Sequence, residues 1–351
     1  MAAMALPASP LSATPPRVRA ETPIAFVQAM AVAYERRGMS PAGMLNSAQI
    51  TPNLLHSSTT RITALQFEQA SEAAMRELDD EALGWFERPL PWGSYGMLIR
   101  ASLTAPSLGV ALKRWCRHHG LLTGTISLRV LEDAGVATLE LVENADLGVL
   151  REFCIVSVLR NALGVACWLT DSRIPLLHTS LRYAPPPHAD SYSVLFDGPC
   201  TFKAEHNNLQ FDAGYLNLPV RRDEAAMRRM LQRALLLTVR PYRRDRLLVE
   251  TVRQTLAQFP EQSRNAYDIA ARLHLSERTL HRQLKEEGSS LQQLKDAVRR
   301  EQALTLLHRS GKPLKQIAEA VGFKNEKSFI RAFKTWTGTT PDALRLRAPP
   351  Q

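Results

Sequence analysis

One pattern occurs twice in the last hundred residues: a short helix, a tight turn, and a capped helix whose outer face is rich in hydrogen-bond donors. In the first copy, periodicity predicts a helix over Tyr267 to Leu273 and a turn at His274-Leu275. Ser276 is then the N-cap of a helix running through Glu287. Ile269, Ala270, Leu275, Leu280 and Leu284 are the inward positions, and Ala270 is small where two helices must cross closely. Arg278, Thr279, His281, Arg282 and Lys285 are left outward. The second copy has a short helix over Leu314 to Val321, with Ile317, Ala318 and Val321 inward, a turn at Gly322-Phe323, and Asn325 as the cap. The helix that follows points Phe329 and Phe333 inward and shows Glu326, Lys327, Ser328, Arg331 and Lys334.

The two caps lie 49 residues apart. Between them, Ser290-x-x-Gln293 opens a helix running to about His308. Its roughly 18 residues span about 27 Å at 1.5 Å per residue. A rigid spacer of that size suits two helices placed in major-groove turns roughly 34 Å apart. A further helix, Arg244 to Phe259, precedes the pair, with Leu248, Val252, Leu256 and Phe259 inward and Pro260 closing it. Charge follows the same division. Residues 1–239 balance 22 Lys and Arg against 22 Asp and Glu, whereas residues 240–351 hold 22 against 12, which is the chain's entire excess of +10. A basic, helical, donor-rich module is expected to meet a polyanion, and the outward side chains can reach base edges or phosphates of duplex DNA.

The preceding two-thirds reads as a neutral, mixed helix-and-strand region. At 351 residues, with 45% hydrophobic and 22% charged residues, the chain suits two packed domains. Residues 1–20 are rich in Ala, Pro and Ser and are expected to form a tail without the features of a signal peptide. Ile24, Val27, Met30 and Tyr34 recur at helical spacing before Gly38, and a second helix carries Leu65, Ala70, Ala74 and Leu78. Alternation at Ile126, Leu128 and Val130, a turn at Asp133-Ala134-Gly135 and the run Val136 to Val142 predict a β-hairpin. Arg151 to Leu169 suits a buried helix, and strands are expected around Leu177–Tyr183 and Leu209–Phe211, on either side of Pro185-Pro186-Pro187. No apolar run approaches the roughly 18 residues needed to span a bilayer. Asp223 to Thr238 is expected to be a connecting helix, with Met227, Met230, Leu231 and Leu235 along one side. The resulting organisation is a tail (1–20), an α+β domain (21–219), a connecting helix and linker (220–243) and an all-α domain (244–347).

Several chemistries find no support. Cys116, Cys154, Cys167 and Cys200 are scattered without Cys-x-x-Cys spacing, and Cys116 with His118 and His119 cannot close a tetrahedral metal site alone. Buried free thiols are expected, with no metal and no cofactor. There is no Gly-x-Ser-x-Gly elbow, His-Glu-x-x-His pair, phosphate loop or dinucleotide fingerprint, so an enzyme is not expected. Trp92, Tyr95, Arg100, Trp115 and Arg151 have the polar-and-aromatic mixture of a ligand pocket. Packing or surface roles explain each of them as well, so the ligand-binding residues stay unassigned.

Residues 244–347 strongly resemble the DNA-binding domain of the AraC/XylS family of bacterial transcription regulators. The resemblance runs through Ile317-Ala318-Glu319-Ala320-Val321-Gly322-Phe323, Ser328-Phe329, Arg331-Ala332-Phe333-Lys334, Gly338, Thr340-Pro341 and Arg345. Arg278, His281 and Arg282 match base- and phosphate-contacting positions of its first recognition helix, and Glu326, Lys327, Ser328 and Arg331 match those of the second. His274 departs from the pattern, standing where glycine or a similar small polar residue is common. The N-terminal half resembles the family's ornithine-utilisation-regulator branch, with an arabinose-binding-type domain. That similarity is carried by Tyr95-Gly96-Met97-Leu98, Ser107-Leu108-Gly109-Val110-Ala111-Leu112, Phe196-Asp197-Gly198-Pro199 and Leu209-Gln210-Phe211-Asp212 leading to Leu218-Pro219. The resemblance implies an α+β sensor followed by two helix-turn-helix units joined by a long helix. It also implies a cytoplasmic homodimer that binds direct repeats at a promoter, answers to a small-molecule effector and assists RNA polymerase, activation being the usual outcome. A repressor, or a DNA-binding protein that responds to no ligand, stays open as the alternative.

Overall fold

The computed structural model describes residues 20–232, 245–259 and 265–347, and they form two compact units. Among the described residues, the first unit holds 20–166, 175–216 and 222–232. The second holds 167–174, 217–221, 245–259 and 265–347.

In the first unit, strand β1 (Ala20–Pro23) pairs antiparallel with β2 (Arg61–Thr63). Around this pair lie helices α1 (Ala25–Glu35), α2 (Ala42–Ser47) and α3 (Ala64–Leu78). Thr63 starts α3 through a complete capping box, exchanging bonds with Gln66 in both directions. The inward stripe of α3 is Phe67, Ala70, Ala74 and Leu78, and Leu65 is 51% exposed, so the expected stripe is wrong at that one position. Next come α4 (Ser94–Ser102) and α5 (Leu108–Leu122), followed by the hairpin β3 (Ile126–Asp133) and β4 (Val136–Glu143). Ala134 and Gly135 turn this hairpin with φ of 46° and 80°, the left-handed pair that matches the twist of two adjoining strands.

Helix α6 (Arg151–Thr170) follows, its residues from Cys167 onward belonging to the second unit, then β5 (Leu176–Ser180), the single-turn α7 (Tyr192–Leu195), β6 (Cys200–Thr201) and β7 (Asn207–Asp212). The sheet order is β3-β4-β7-β5-β6, with β5 and β6 parallel and the other pairs antiparallel. Residues 148–170 are long and apolar enough to cross a membrane by length and composition, but 72% of an 18-residue apolar window within them is buried inside the protein, as in a core helix. Arg160 and Asn161 interrupt its apolar run, so no unbroken apolar stretch of this length shows in the sequence. Helix α8 (Glu224–Leu231) ends the described part of the unit, with the Asp223 carboxylate accepting the Ala226 N–H at 2.7 Å. The expected continuation of this helix to Thr238 lies outside the described residues.

The second unit contains α9 (Leu247–Gln258), α10 (Ala266–Arg272), α11 (Glu277–Glu286), α12 (Leu291–Arg309), α13 (Leu314–Ala320), α14 (Glu326–Thr337) and α15 (Pro341–Arg347). The expected start of its first helix at Arg244 lies outside the described residues. Two cores organise the unit. One joins Val249, Val252 and Leu256 of α9 to Ile269, Ala270, Leu280 and Leu284; the other joins Ile317, Ala318 and Val321 to Phe329 and Phe333. Helix α12 serves both, giving Leu291, Leu294 and Val298 to the first and Ala303 and Leu307 to the second. Its 19 residues make a continuous strut of about 28 Å.

Candidate nucleic-acid interface

Both short-helix pairs close through the same backbone bonds. Leu275 N–H reaches Ala270 O at 2.8 Å and His274 N–H reaches Ala271 O at 3.2 Å. In the second pair, Phe323 N–H reaches Ala318 O at 2.9 Å and Gly322 N–H reaches Glu319 O at 3.0 Å. The geometry requires a left-handed residue, supplied by Gly322 at φ 82° and by His274 at φ 55°. The histidine therefore keeps the turn of its glycine counterpart, at a cost of about 1 kcal/mol in backbone strain. The second turn carries one extra residue, Lys324, before its cap. Ala270 and Ala318 are 2% and 1% exposed, and their single methyl groups let the paired helices approach.

The caps are made as the sequence predicts. Ser276 Oγ accepts the Thr279 N–H at 3.1 Å, and Asn325 Oδ1 accepts the Ser328 N–H at 2.8 Å. Ser290 Oγ opens α12 by accepting the Gln293 N–H at 3.3 Å. Asn265, which the sequence reading passed over, caps α10 through Asp268 N–H at 2.8 Å. Its position just before a short amphipathic helix was the available signal.

Capping and core packing fix which side of each helix faces out. On α11, Leu280 and Leu284 are fully buried, which leaves Arg278, His281, Arg282 and Lys285 exposed on the opposite face. Thr279 is half-buried, its hydroxyl 2.8 Å from Ser276 Oγ, so it reinforces the cap. Arg282 also has a loose ion pair with Glu286 at 3.7 Å. On α14, Phe329 and Phe333 are fully buried, and Lys327, Ser328, Arg331 and Lys334 are exposed. Glu326 is half-buried in the first turn, where a carboxylate suits the positive end of the helix. Phe323 meets Phe329 edge-on at 5.7 Å, and the Arg299 guanidinium of α12 lies 5.2 Å from the Phe323 ring, which ties the strut to the second turn. The structure thus brings the twelve candidate residues onto two capped helices mounted on separate cores of one unit.

At the end of α11, Glu287 is 8% exposed and accepts the Val249 N–H at 2.8 Å. Burial pushes its carboxyl up to about 7, against the opposing pull of that backbone bond.

The pocket candidates of the first unit divide. Arg151 holds Glu143 through two bonds of 2.5 and 2.8 Å, Arg100 pairs with Glu224 at 2.9 Å, and Trp92 is exposed beneath the Arg76 guanidinium. Tyr95 and Trp115 instead stack inside the unit, with ring centres 6.0 Å apart. All four cysteines are free; burial pushes the thiols up, to about 12 in Cys116 and Cys167 and to about 11 in Cys200.

Comparison with known proteins gives two family matches. Residues 38–220 match the model of the N-terminal arabinose-binding domain of AraC transcription regulators, and residues 269–347 match a helix-turn-helix domain model. The ornithine utilization regulator of Pseudomonas aeruginosa is 29% identical over 327 residues, covering 92% of this chain and 96% of that protein. The HTH-type transcriptional regulator VqsM of the same organism is 34% identical over 90 residues, covering 26% of this chain and 28% of its own. Among solved structures, the transcriptional regulator CdpR of P. aeruginosa aligns with 89% of this chain and 98% of its own at 19% identity and a TM-score of 0.34.

Proposed function

Because the chain belongs to the AraC family of DNA-binding transcription regulators, which are not enzymes, we propose that α11 and α14 are its two recognition helices and enter successive major-groove turns of one duplex. The observation that carries this is the repeated exposed donor face: two capped helices, each with its apolar side locked in a core, at the two ends of one 19-residue strut. Arg278, His281 and Arg282 on α11 and Lys327, Ser328 and Arg331 on α14 occupy the N-terminal and middle turns, where base edges are read. Lys285 and Lys334 lie toward the far ends and contact phosphates. Ser276 and Asn325 hold the helix starts, and Thr279 and Glu326 support them.

The N-terminal ligand-binding domain supplies control. A small molecule bound there biases a cytoplasmic homodimer whose readers occupy direct repeats beside a promoter and assist RNA polymerase, most simply as an activator. The relative named for ornithine utilization makes amino-acid metabolism the first place to look for target genes. Replacing Arg278 or Lys327 by alanine tests the reading heads. Each should weaken binding to the specific site by about 1–3 kcal/mol while leaving binding to unrelated duplex nearly unchanged. Wild-type affinity in both variants removes the assignment.

A further inference from the structure

Arg299 projects from the middle of the strut α12 and is half-buried against the second turn. Its guanidinium lies 5.2 Å from the centre of the Phe323 ring. Its Nη2 and Nε stand 3.6 and 3.8 Å from the point that a first side-chain carbon at position 322 would occupy. The group is thus held in place by an aromatic ring and by the space that glycine leaves open. Three other arginines of the same unit are held by carboxylates: Arg246 by Asp171, Arg253 by Glu250 and Glu301, and Arg282 by Glu286. Among the described residues, Arg299 has neither an ion pair nor a hydrogen bond. A guanidinium offers five donors, and one that is fixed and partly desolvated without an anion calls for one.

A second cation stands one helical turn away. Lys295 is half-buried four residues before Arg299, where like charges on a helix repel. Burial first, and then the charge of Arg299, hold its ammonium below its usual range, while Asp268 of α10 pulls the other way. This flank of α12 therefore reaches from the first helix pair, at Asp268, to the second, at Gly322-Phe323. Two residues beyond Phe323 stands Asn325, the cap of α14. Exposed Lys324 and Lys327 lie on either side of that cap, and Glu326 is half-buried between them. The local balance is cationic, at a helix end whose dipole already favours an anion.

Resting on the reading that α14 enters the major groove, we propose that Arg299 grips a backbone phosphate at the edge of that groove, with Lys295 adding charge behind it. The N-terminal end of a reading helix points into the groove, so the turn before it lies beside the strand that borders the groove. A planar fork matches two phosphate oxygens, and Phe323 and Gly322 set its plane before DNA arrives. The bound anion also offsets the repulsion between Arg299 and Lys295. The contact carries no sequence information; it fixes the register of the second reading helix on the duplex.

Binding of the full chain across a range of salt concentrations tests this on two duplexes: the DNA upstream of its own gene, and an unrelated duplex of equal length. Arg299→Gln removes the charge and Arg299→Lys keeps it. The glutamine variant should bind both duplexes about ten-fold more weakly at low salt and lower the slope of log affinity against log salt by about 1. The lysine variant should restore the slope but only part of the affinity, because a point charge cannot fork. An unchanged slope in Arg299→Gln, whatever happens to affinity, overturns the contact and leaves Arg299 as a prop for the turn. The fluorotryptophan resonance of Trp336, whose ring centre lies 5.8 Å from that of Phe323, reports whether the second turn is intact in each variant. Should Arg299→Gln disturb it, ethylation interference on the upstream DNA with wild-type protein decides. No interfering phosphate at the edge of the second protected turn then overturns the contact. Lys327→Ala separates this idea from the one it rests on. Full sequence preference in Lys327→Ala, with a lowered slope in Arg299→Gln, keeps the phosphate contact and removes α14 as a reader. Relaxed preference in Lys327→Ala, with an unchanged slope in Arg299→Gln, keeps the reader and removes the contact.

Discussion

Glu287 makes the stability of the second unit depend on pH, and the structure gives the sign and the size. Its carboxyl is raised from 4.5 to about 7, mainly by burial. Between those values the folded chain holds a proton that the unfolded chain has released, so stability falls as pH rises through that window and is lowest above it. At 1.36 kcal/mol per pKa unit the gap sets a ceiling of about 3 kcal/mol, and a loss of about 2 kcal/mol between pH 5 and 8 is the expected outcome. Glu287→Gln removes the titration while its amide oxygen can still accept the Val249 N–H. The variant should therefore show a nearly flat profile from pH 5 to 8 and exceed wild type in stability at pH 8. Urea unfolding of fluorotryptophan-labelled protein, followed at the Trp336 resonance, reads this unit separately from the first. Equal slopes for wild type and Glu287→Gln would refute the reasoning, because the pH dependence would then arise elsewhere.

Other perturbations follow from the same geometry. Ser276→Ala and Asn325→Ala each remove a helix cap and should cost about 1 kcal/mol of stability in denaturant titrations, with glycine at either position costing only a few tenths; an alanine variant as stable as wild type contradicts the capping role. Lys285→Gln and Lys334→Gln should each lower the slope of log affinity against log salt by about 1 without altering sequence preference. A relaxed preference at unchanged slope would move either lysine from phosphate to base.

Much of the second unit is legible in the sequence because local chemistry and tertiary packing agree there. Ser276, Ser290 and Asn325 are good caps placed directly before amphipathic runs, and the core needs just what the 3.6-residue stripe offers. His274 shows where that agreement ends. Propensity disfavours a left-handed histidine, yet the backbone bonds on either side of the turn over-determine the position. The first unit is less transparent because its interior is set by contacts between distant segments. Trp85, Phe86, Tyr95, Trp115 and His119 come from a loop and two helices. Nothing in their spacing announces that they pack together. The pocket candidates Arg100 and Arg151 likewise found carboxylates at Glu224 and Glu143, partners that periodicity cannot reveal. Strand β6, two residues long, is defined only by its parallel pairing with β5.

Whether one chain reads two turns of a specific duplex is decided by footprinting. Purified protein is bound to the DNA upstream of its own and neighbouring genes, at fixed salt, with unrelated duplex as competitor. A discrete protected site of about two helical turns per subunit, surviving the competitor, is the expected result. Protection that the competitor abolishes equally everywhere would contradict it, and the donor faces of α11 and α14 would then be a basic surface without a reading role.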